Sequence, residues 1–143
     1  MKYANFKDFK KVNTFKTGIP NFFLARYMTG KTYLRPVKLV GRSMMLANVT
    51  FSPGSRCFWH VHKSTKGGGQ ILICTAGEGW YQEEGKDALP LGPGDVVHIP
   101  PGVKHWHGAK KNSCFSLLAI DAIGEDRSVQ WLEEVSESSY QAL

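Results

Sequence analysis

The histidines that could do chemistry in this chain form two His-x-His pairs, His60 with His62 and His105 with His107, and Gln70 lies between the pairs. Alternate side chains of a strand project to the same face, so the two members of each pair point the same way. Imidazoles with an amide oxygen suit manganese, iron, cobalt, nickel or zinc, whereas calcium and magnesium require mostly oxygen ligands. The spacing therefore predicts one site for a divalent transition metal.

Glycines and a proline recur at fixed distances around these histidines. The pattern resembles the paired motifs of the cupin superfamily, which read Gly-x5-His-x-His-x3–4-Glu-x6-Gly and Gly-x5-Pro-x-Gly-x2-His-x3-Asn. The matching positions are Gly54, His60, His62, Gly77, Gly94, Pro100, Gly102 and His105. So many matches at fixed spacing make the resemblance specific.

Three positions depart from the cupin pattern. Gln70 stands in place of the usual glutamate, the longer segment 63–69 separates it from His62, and Ala109 replaces the asparagine. The chain more closely resembles a small group that includes manganese-dependent hydroxynitrile lyases and cupins associated with carboxymuconolactone decarboxylase-like proteins. Over about residues 45–140 the shared strings are Trp59-His-x-His62, Gly69-Gln-x-Leu-Ile-x-x-x-Gly77, Gly94-Asp-Val-Val97, His105-Trp-His-Gly-Ala109 and Leu118-Ala-Ile120.

This resemblance implies that His60, His62, Gln70 and His105 bind the metal, that manganese or iron is favoured, and that the protein is a homodimer. It gives His107 no ligand role, so we expect His107 to act as the acid or base in the substrate pocket. Three neutral imidazoles and a neutral amide leave the full charge on the cation. We therefore expect Lewis-acid activation of a carbonyl or hydroxyl group on a small molecule, as in hydroxynitrile lyases.

Leu117 separates this chain from the lyases that it resembles. In those lyases a histidine at this position lies beside the substrate, and leucine cannot replace its chemistry. Two alternatives therefore stay open. One is an iron-dependent dioxygenase, and the other is a cupin that binds a ligand without converting it.

Composition limits the remaining classes of function. The 143 residues suit one domain, 1–143, with its core at about residues 40–125. The net charge is +6, but the basic residues are dispersed and accompany no nucleic-acid-binding motif, so we expect a small-molecule substrate and no nucleic-acid partner. No apolar run reaches about 18 residues and no signal peptide is evident, which predicts a cytoplasmic protein without membrane spans. Cys57, Cys74 and Cys114 lack the spacing of a thiolate metal site and are expected to be reduced, partly buried thiols.

Short strand-like segments separated by glycine and proline turns dominate the chain after Phe22. Predicted strands cover residues 21–27, 34–40, 43–51, 57–62, 70–75, 79–83, 95–99, 105–109 and 114–122. Residues 136–140 predict the start of a short C-terminal helix, whereas Phe6 and Phe9 have helical spacing over too short a segment to assign. With the cupin resemblance, this pattern predicts an all-β jelly-roll barrel with a short C-terminal helix.

Overall fold

The computed structural model describes residues 2–37 and 45–143 of the chain. Its strands are β1 Ile19–Pro20, β2 Met28–Thr29, β3 Thr32–Pro36, β4 Met45–Phe51, β5 Arg56–Cys57, β6 His60–Lys63, β7 Lys66–Gly67, β8 Gln70–Gly77, β9 Gly79–Glu83, β10 Leu89–Leu91, β11 Val96–Ile99, β12 Lys104–Ala109, β13 Phe115–Asp121, β14 Gly124–Glu125 and β15 Ser128–Trp131. Its helices are α1 Phe6–Val12, a 3-10 turn at Ala25–Tyr27 and α2 Glu137–Gln141. The predicted strands 34–40 and 43–51 run into residues 38–44, which lie outside the described residues.

Two antiparallel sheets form the walls of the molecule. One has the strand order β1-β3-β4-β13-β8-β11, and the other has the order β10-β9-β12-β5-β2, with β6 paired to β12 and β15 paired to β6. Strands distant in sequence are neighbours in both sheets, as the Greek-key connections of a jelly roll require. The predicted all-β jelly roll with a short C-terminal helix is therefore confirmed.

The core lies between the two sheets and is built by alternation along the strands. In β8 the buried side chains on the inner face are Gln70, Leu72 and Cys74, and the residues between them are only partly buried. Leu72 contacts a cluster that includes Phe51 and Leu117, all three with no exposed surface. Burying each such side chain contributes roughly 1.5–3 kcal/mol. The same alternation directs Gln70 inward at the end of the barrel where β8 begins.

Two predicted strands are interrupted. Residues 21–27 were expected to be extended, but the Asn21 side chain accepts a hydrogen bond from the Leu24 backbone and turns the chain into the 3-10 turn. The predicted strand 57–62 is split into β5 and β6 by Phe58 and Trp59. At this break the Phe58 N–H donates to the Tyr27 carbonyl and the Trp59 N–H donates to the Glu133 carbonyl.

Both termini cover the outer faces of the sheets. Helix α1 buries Phe9 against Ala76 and Cys114. Helix α2 begins after Ser136, whose hydroxyl accepts a hydrogen bond from the Ser139 N–H, as expected of a helix N-cap. No helix within residues 2–37 and 45–143 is long and apolar enough to cross a membrane.

Gly69 fixes the entry of the chain into β8 and so the position of Gln70. Its φ is +90°, and a Cβ placed there would lie 2.2 Å from the backbone oxygen of Ile99. Gly85 also has a positive φ, +76°, but a Cβ there would meet nothing within 4 Å. The two glycines therefore share the conformational requirement and differ in the space around them.

We expect Gly69→Ala to lower the free energy of unfolding more than Gly85→Ala. The left-handed backbone should cost about 1–2 kcal/mol in both variants, and the clash with the Ile99 carbonyl should add about 1–3 kcal/mol in Gly69→Ala alone. Urea denaturation of the metal-free proteins measures both values. Equal losses in the two variants would contradict the close packing of Gly69 against Ile99.

Candidate metal centre

Strands β6 and β12 bring the two His-x-His pairs together. These strands pair antiparallel with His105 directly opposite His60. His62 and His107 each lie two residues along their own strand, so alternation places all four imidazoles on the inner face. All four are buried, with exposed fractions between 0 and 7%. The prediction that each pair shares a face is therefore confirmed.

His60, His62 and His105 form a cluster able to bind a metal ion. One ring nitrogen of each lies within 4.8 Å of the others. The ring centroids of His60 and His105 are 4.2 Å apart, those of His60 and His62 are 5.3 Å apart, and those of His62 and His105 are 5.7 Å apart. Their role as ligands stays a prediction, but the required convergence is present.

Two of these imidazoles are oriented by backbone carbonyls. The Nδ1–H group of His60 donates to the Phe58 carbonyl at 3.0 Å, and that of His105 donates to the Val103 carbonyl at 3.0 Å. Each acceptor lies two residues before its histidine. Because Nδ1 carries the proton, Nε2 keeps the lone pair that a metal needs, which is the usual arrangement of ligating histidines.

Gln70 reaches the cluster from the opposite sheet. Its side-chain Oε1 lies 3.2 Å from Nε2 of His105. The Nδ1 proton of His105 is donated to the Val103 carbonyl, so Nε2 keeps a lone pair that faces the Gln70 amide. The buried Nε2 of His62 has no hydrogen-bond partner among the described residues. These donor atoms therefore fit a transition-metal ion, as the cupin resemblance implies.

Burial keeps these imidazoles neutral. Loss of hydration lowers the pKa of His62 to about 4 and that of His105 to about 4. The pKa values of His60 and His107 fall well below the usual range, first through burial and then through the neighbouring imidazoles. A neutral imidazole is the form that binds metals, so the site is prepared for a cation at neutral pH.

Two adjoining cavities lie beside the cluster. The inner one, about 170 Å³, lies inside the barrel beside His60, His62, Gln70 and His107. Most of its other lining is apolar, including Leu24, Met28, Leu34, Ala47, Val49 and Phe51. The outer one, about 370 Å³, has its own rim, and the two share Met45, His62, Asp121 and Val129. The two cavities therefore adjoin at His62 and Asp121.

His107 lines the inner cavity but is held differently from the three clustered histidines. Its Nδ1 is buried without a hydrogen-bond partner among the described residues. Its backbone N–H donates to the Cys57 sulfur at 3.3 Å, and the Cys57 thiol donates to its carbonyl at 3.1 Å. This placement in the cavity agrees with the expected acid or base, a role that stays a prediction.

Cys57 was set aside in the sequence analysis, yet it lies beside the cluster. A ligand atom of Cys57 lies within 4.8 Å of ligand atoms of His60 and His107, so these residues form a second group with metal-ligand geometry. Burial raises the pKa of the Cys57 thiol to about 12, and the thiol is engaged by the His107 backbone. Nδ1 of His60 is also engaged, by Phe58. The group with His62 and His105 is therefore the better cation site.

Three further residues near the cluster are Leu117, Trp106 and Asp121, and only Asp121 lines the cavities. Leu117 lies in the hydrophobic core with no exposed surface. Trp106 alternates with His105 and His107 along β12, so it points away from the imidazoles, where it packs against Tyr140 and donates to Gln82. Asp121 was missed, although it lies on the same face of β13 as Leu117 and Ala119 and lines both cavities. Strand parity counted onward from Leu117 could have found it.

Comparisons with known proteins agree on the family and the fold of the chain. The cupin domain family matches residues 47–121. An (R)-mandelonitrile lyase from Granulicella tundricola is 46% identical over 94 residues, which are 66% of this chain and 69% of that protein. A cupin-like protein from Thermotoga maritima has a TM-score of 0.77 and 34% identity over 90% of this chain and 95% of its own. A cupin barrel protein from Rhodopseudomonas palustris shares the fold alone, with a TM-score of 0.64 and 16% identity over 79% of this chain and 74% of its own.

The buried histidines predict that the metal-free protein loses stability in acid. The folded pKa of His62 and of His105 is about 4 against an ordinary value of 6.5, so the unfolded chain binds more protons between these values. The free energy of unfolding should therefore fall as the pH decreases from about 6.5 towards about 4. Urea denaturation across this range measures the slope.

The matched variants for this experiment are His62→Gln and His98→Gln. His62→Gln removes one buried titrating group and should flatten the slope. His98 is exposed on β11, so His98→Gln should leave the slope unchanged. A slope that is the same in the wild type and in His62→Gln would contradict the assignment of His62 as a buried neutral imidazole.

Proposed function

The chain belongs to the cupin family, and we propose that it is a metal-dependent enzyme that acts on a carbonyl or hydroxyl group of a small organic molecule. The observation that carries the proposal is the convergence of His60, His62 and His105 with Gln70 beside an apolar cavity. These four residues would hold one divalent transition metal, with manganese or iron favoured. A bound cation would supply Lewis acidity towards a substrate oxygen.

The charge of the site supports this chemistry. All four proposed donors are neutral, because burial lowers the pKa of the imidazoles and Gln70 carries an amide. The double positive charge of a cation would therefore remain uncancelled by its ligands. In a buried site of low dielectric, such a charge favours groups that become negative during reaction.

The size and lining of the inner cavity restrict the substrate. Its volume of about 170 Å³ is below the range of about 300–1,000 Å³ that is common for drug-sized ligands. Phe51, Val49 and Leu34 give it apolar walls, while His107 supplies a polar atom deep inside. A compact molecule with one apolar group and one oxygen function fits these walls.

His107 is the residue that we propose to move a proton. Its unpartnered Nδ1 and its place in the cavity leave it available to a substrate hydroxyl or to a leaving group. Its edge contact with the Phe51 ring, at a centroid distance of 5.7 Å, holds the imidazole in place. General acid or base catalysis of this kind contributes roughly 10²- to 10⁴-fold to a rate.

Similarity to the mandelonitrile lyase makes cyanohydrin cleavage the leading specific reaction. Leu117 argues for weak activity, because it places a fully buried leucine where the lyases resembled by this sequence carry a histidine.

An iron-dependent dioxygenase and a ligand-binding cupin are the alternatives. Oxygen uptake by the iron-loaded protein would identify the first, and tight binding without turnover the second. A homodimer and a cytoplasmic location stay predictions.

Elemental analysis tests the proposed metal site. Wild-type protein reconstituted with manganese, iron or zinc should retain about one ion per chain. His62→Ala should lose most of this metal, because it removes a ligand, whereas His107→Ala and the exposed control His98→Ala should retain it. Equal metal loss in His62→Ala and His98→Ala would contradict a specific site, and metal loss in His107→Ala would move His107 into the ligand set.

Leu117→His tests the proposed reaction. We expect weak or no cleavage of mandelonitrile by the wild type and faster cleavage by this variant with manganese or iron bound. His107→Ala added to this variant should lower the rate by about 10²- to 10⁴-fold. The measurement is the release of benzaldehyde.

Folding must be checked in the same experiment. A buried imidazole in place of Leu117 should cost about 1–3 kcal/mol if it lacks a hydrogen-bond partner, whereas the apolar control Leu117→Met should be tolerated. If Leu117→His is folded and holds metal but cleaves no mandelonitrile, the lyase hypothesis is wrong.

A further inference from the structure

Asp121 lies beside the proposed metal centre without belonging to the group of clustered ligand atoms. It ends β13, and its backbone is paired in register with Gln70 on β8. Its Oδ1 lies 3.6 Å from Nδ1 of His62. It is also one of the residues shared by the inner and outer cavities. The carboxylate therefore stands behind one proposed ligand and next to another.

His62 differs from the other clustered histidines in how its ring is oriented. Nδ1 of His60 and Nδ1 of His105 are each held at 3.0 Å by the carbonyl two residues earlier. Among the described residues no such carbonyl hydrogen-bonds to Nδ1 of His62, and the acceptor that faces it is Asp121. The distance of 3.6 Å is slightly longer than a hydrogen bond, so a small movement of the Asp121 side chain would complete the contact.

Two other charged residues lie near the cluster, Glu83 and Arg127, and neither is available to accept a hydrogen bond from Nδ1 of His62. The negative charge of Glu83 favours the protonated form of His105. The Glu83 carboxylate, however, accepts a hydrogen bond from the Tyr81 hydroxyl at 3.1 Å and pairs with Lys86. Burial raises the pKa of Asp121, and the positive charge of Arg127 offsets part of this rise. Asp121 is thus the carboxylate available to His62.

We propose that Asp121 is a positioning residue for His62. It accepts a hydrogen bond from Nδ1–H, holds the tautomer whose Nε2 faces the metal centre, and supplies from behind the imidazole the negative charge that Gln70 does not supply as a ligand. This inference rests on the metal site in the proposed function. A carboxylate–histidine pair of this kind fixes the ring and makes the ligating nitrogen more basic.

In this arrangement the negative charge comes from a residue that is not itself a metal ligand. A carboxylate ligand would cancel part of the cation's charge at the substrate, whereas a carboxylate beyond the imidazole supports the metal from farther away. Gln70 and Asp121, neighbours across two strands, together perform what one glutamate ligand does in the usual cupin motif. A bound cation would be held in this way without a charged ligand that reduces its positive charge towards the substrate.

Metal affinity, rather than turnover, tests this inference. We would measure binding of Mn²⁺ and Co²⁺ to the full chain by competition with a chelator. Asp121→Ala should weaken both by about 10- to 100-fold, the usual effect of removing such a partner. Asp121→Asn keeps an acceptor oxygen and loses the charge, so its affinity should lie between those of the wild type and Asp121→Ala.

A matched control separates this contact from general charge at the cavity mouth. Asp126 lines the outer cavity, and its carboxylate accepts from the Thr65 hydroxyl at 3.0 Å. Asp126→Asn removes the same charge without touching His62 and should bind metal like the wild type. The double variant Gln70→Glu with Asp121→Asn moves the carboxylate to the ligand position and should bind more tightly than Asp121→Asn alone.

The orientation of His62 provides a readout that needs no metal. Nitrogen chemical shifts of the metal-free wild type should show the Nδ1–H tautomer, and Asp121→Ala should increase the other tautomer. Unchanged affinity and unchanged tautomer in folded Asp121→Ala would overturn the positioning role and leave the proposed function standing. A wild type that binds neither cation would overturn both. Asp121→Asn is nearly isosteric and supplies the affinity test if the alanine variant does not fold. Metal affinity equal to that of the wild type in Asp121→Asn would then overturn the role of the Asp121 charge.

Discussion

The burial of four imidazoles at one end of a small barrel is the constraint on which the site depends. Burial in the barrel removes the hydration that would stabilise a protonated imidazole, so the pKa of each ring is lowered. Neutral rings packed with centroids 4.2 to 6.2 Å apart can keep their lone pairs directed inward only if their N–H groups find acceptors elsewhere. The hydrogen bonds from His60 to Phe58 and from His105 to Val103 meet this requirement with local backbone, from residues that lie just before the strands that carry the rings.

The segment 63–69 leads into the remaining proposed donor, Gln70, without disturbing the barrel. It is longer than the corresponding segment of the usual cupin motif, yet Gln70 still begins β8 in register with Ile99 and Asp121. The extra length is held by β7, which pairs with β14, and by the Ser64 hydroxyl, which donates to the Glu125 carbonyl at 2.7 Å. A bulge that is closed by its own hydrogen bonds leaves the following strand free to keep its inward face.

The sequence predicted most of this site because each His-x-His pair lies within one unbroken strand. Parity then holds, and His60, His62, His105 and His107 share a face as expected. The sequence analysis left Cys57 out of the site, and parity along one strand could not have placed it there, because the chain is interrupted at Phe58 and Trp59. These two residues bond to Tyr27 and Glu133, which lie far away in the sequence. The break lets the Cys57 sulfur approach Nδ1 of His60 to 3.8 Å, which a continuous strand would not allow. Such long-range contacts leave no local pattern.

The inner cavity limits where charge can be placed during a reaction. Its walls are largely apolar, His107 is neutral, and the nearby Cys57 thiol remains protonated because burial raises its pKa to about 12. The carboxylate that approaches the cluster most closely from the cavities, Asp121, stands where the inner and outer cavities meet. A cation among neutral donors would therefore be the dominant charge felt by a group inside. Leu117 strengthens this asymmetry, since it places a buried hydrocarbon side chain on the same face of β13 as Asp121.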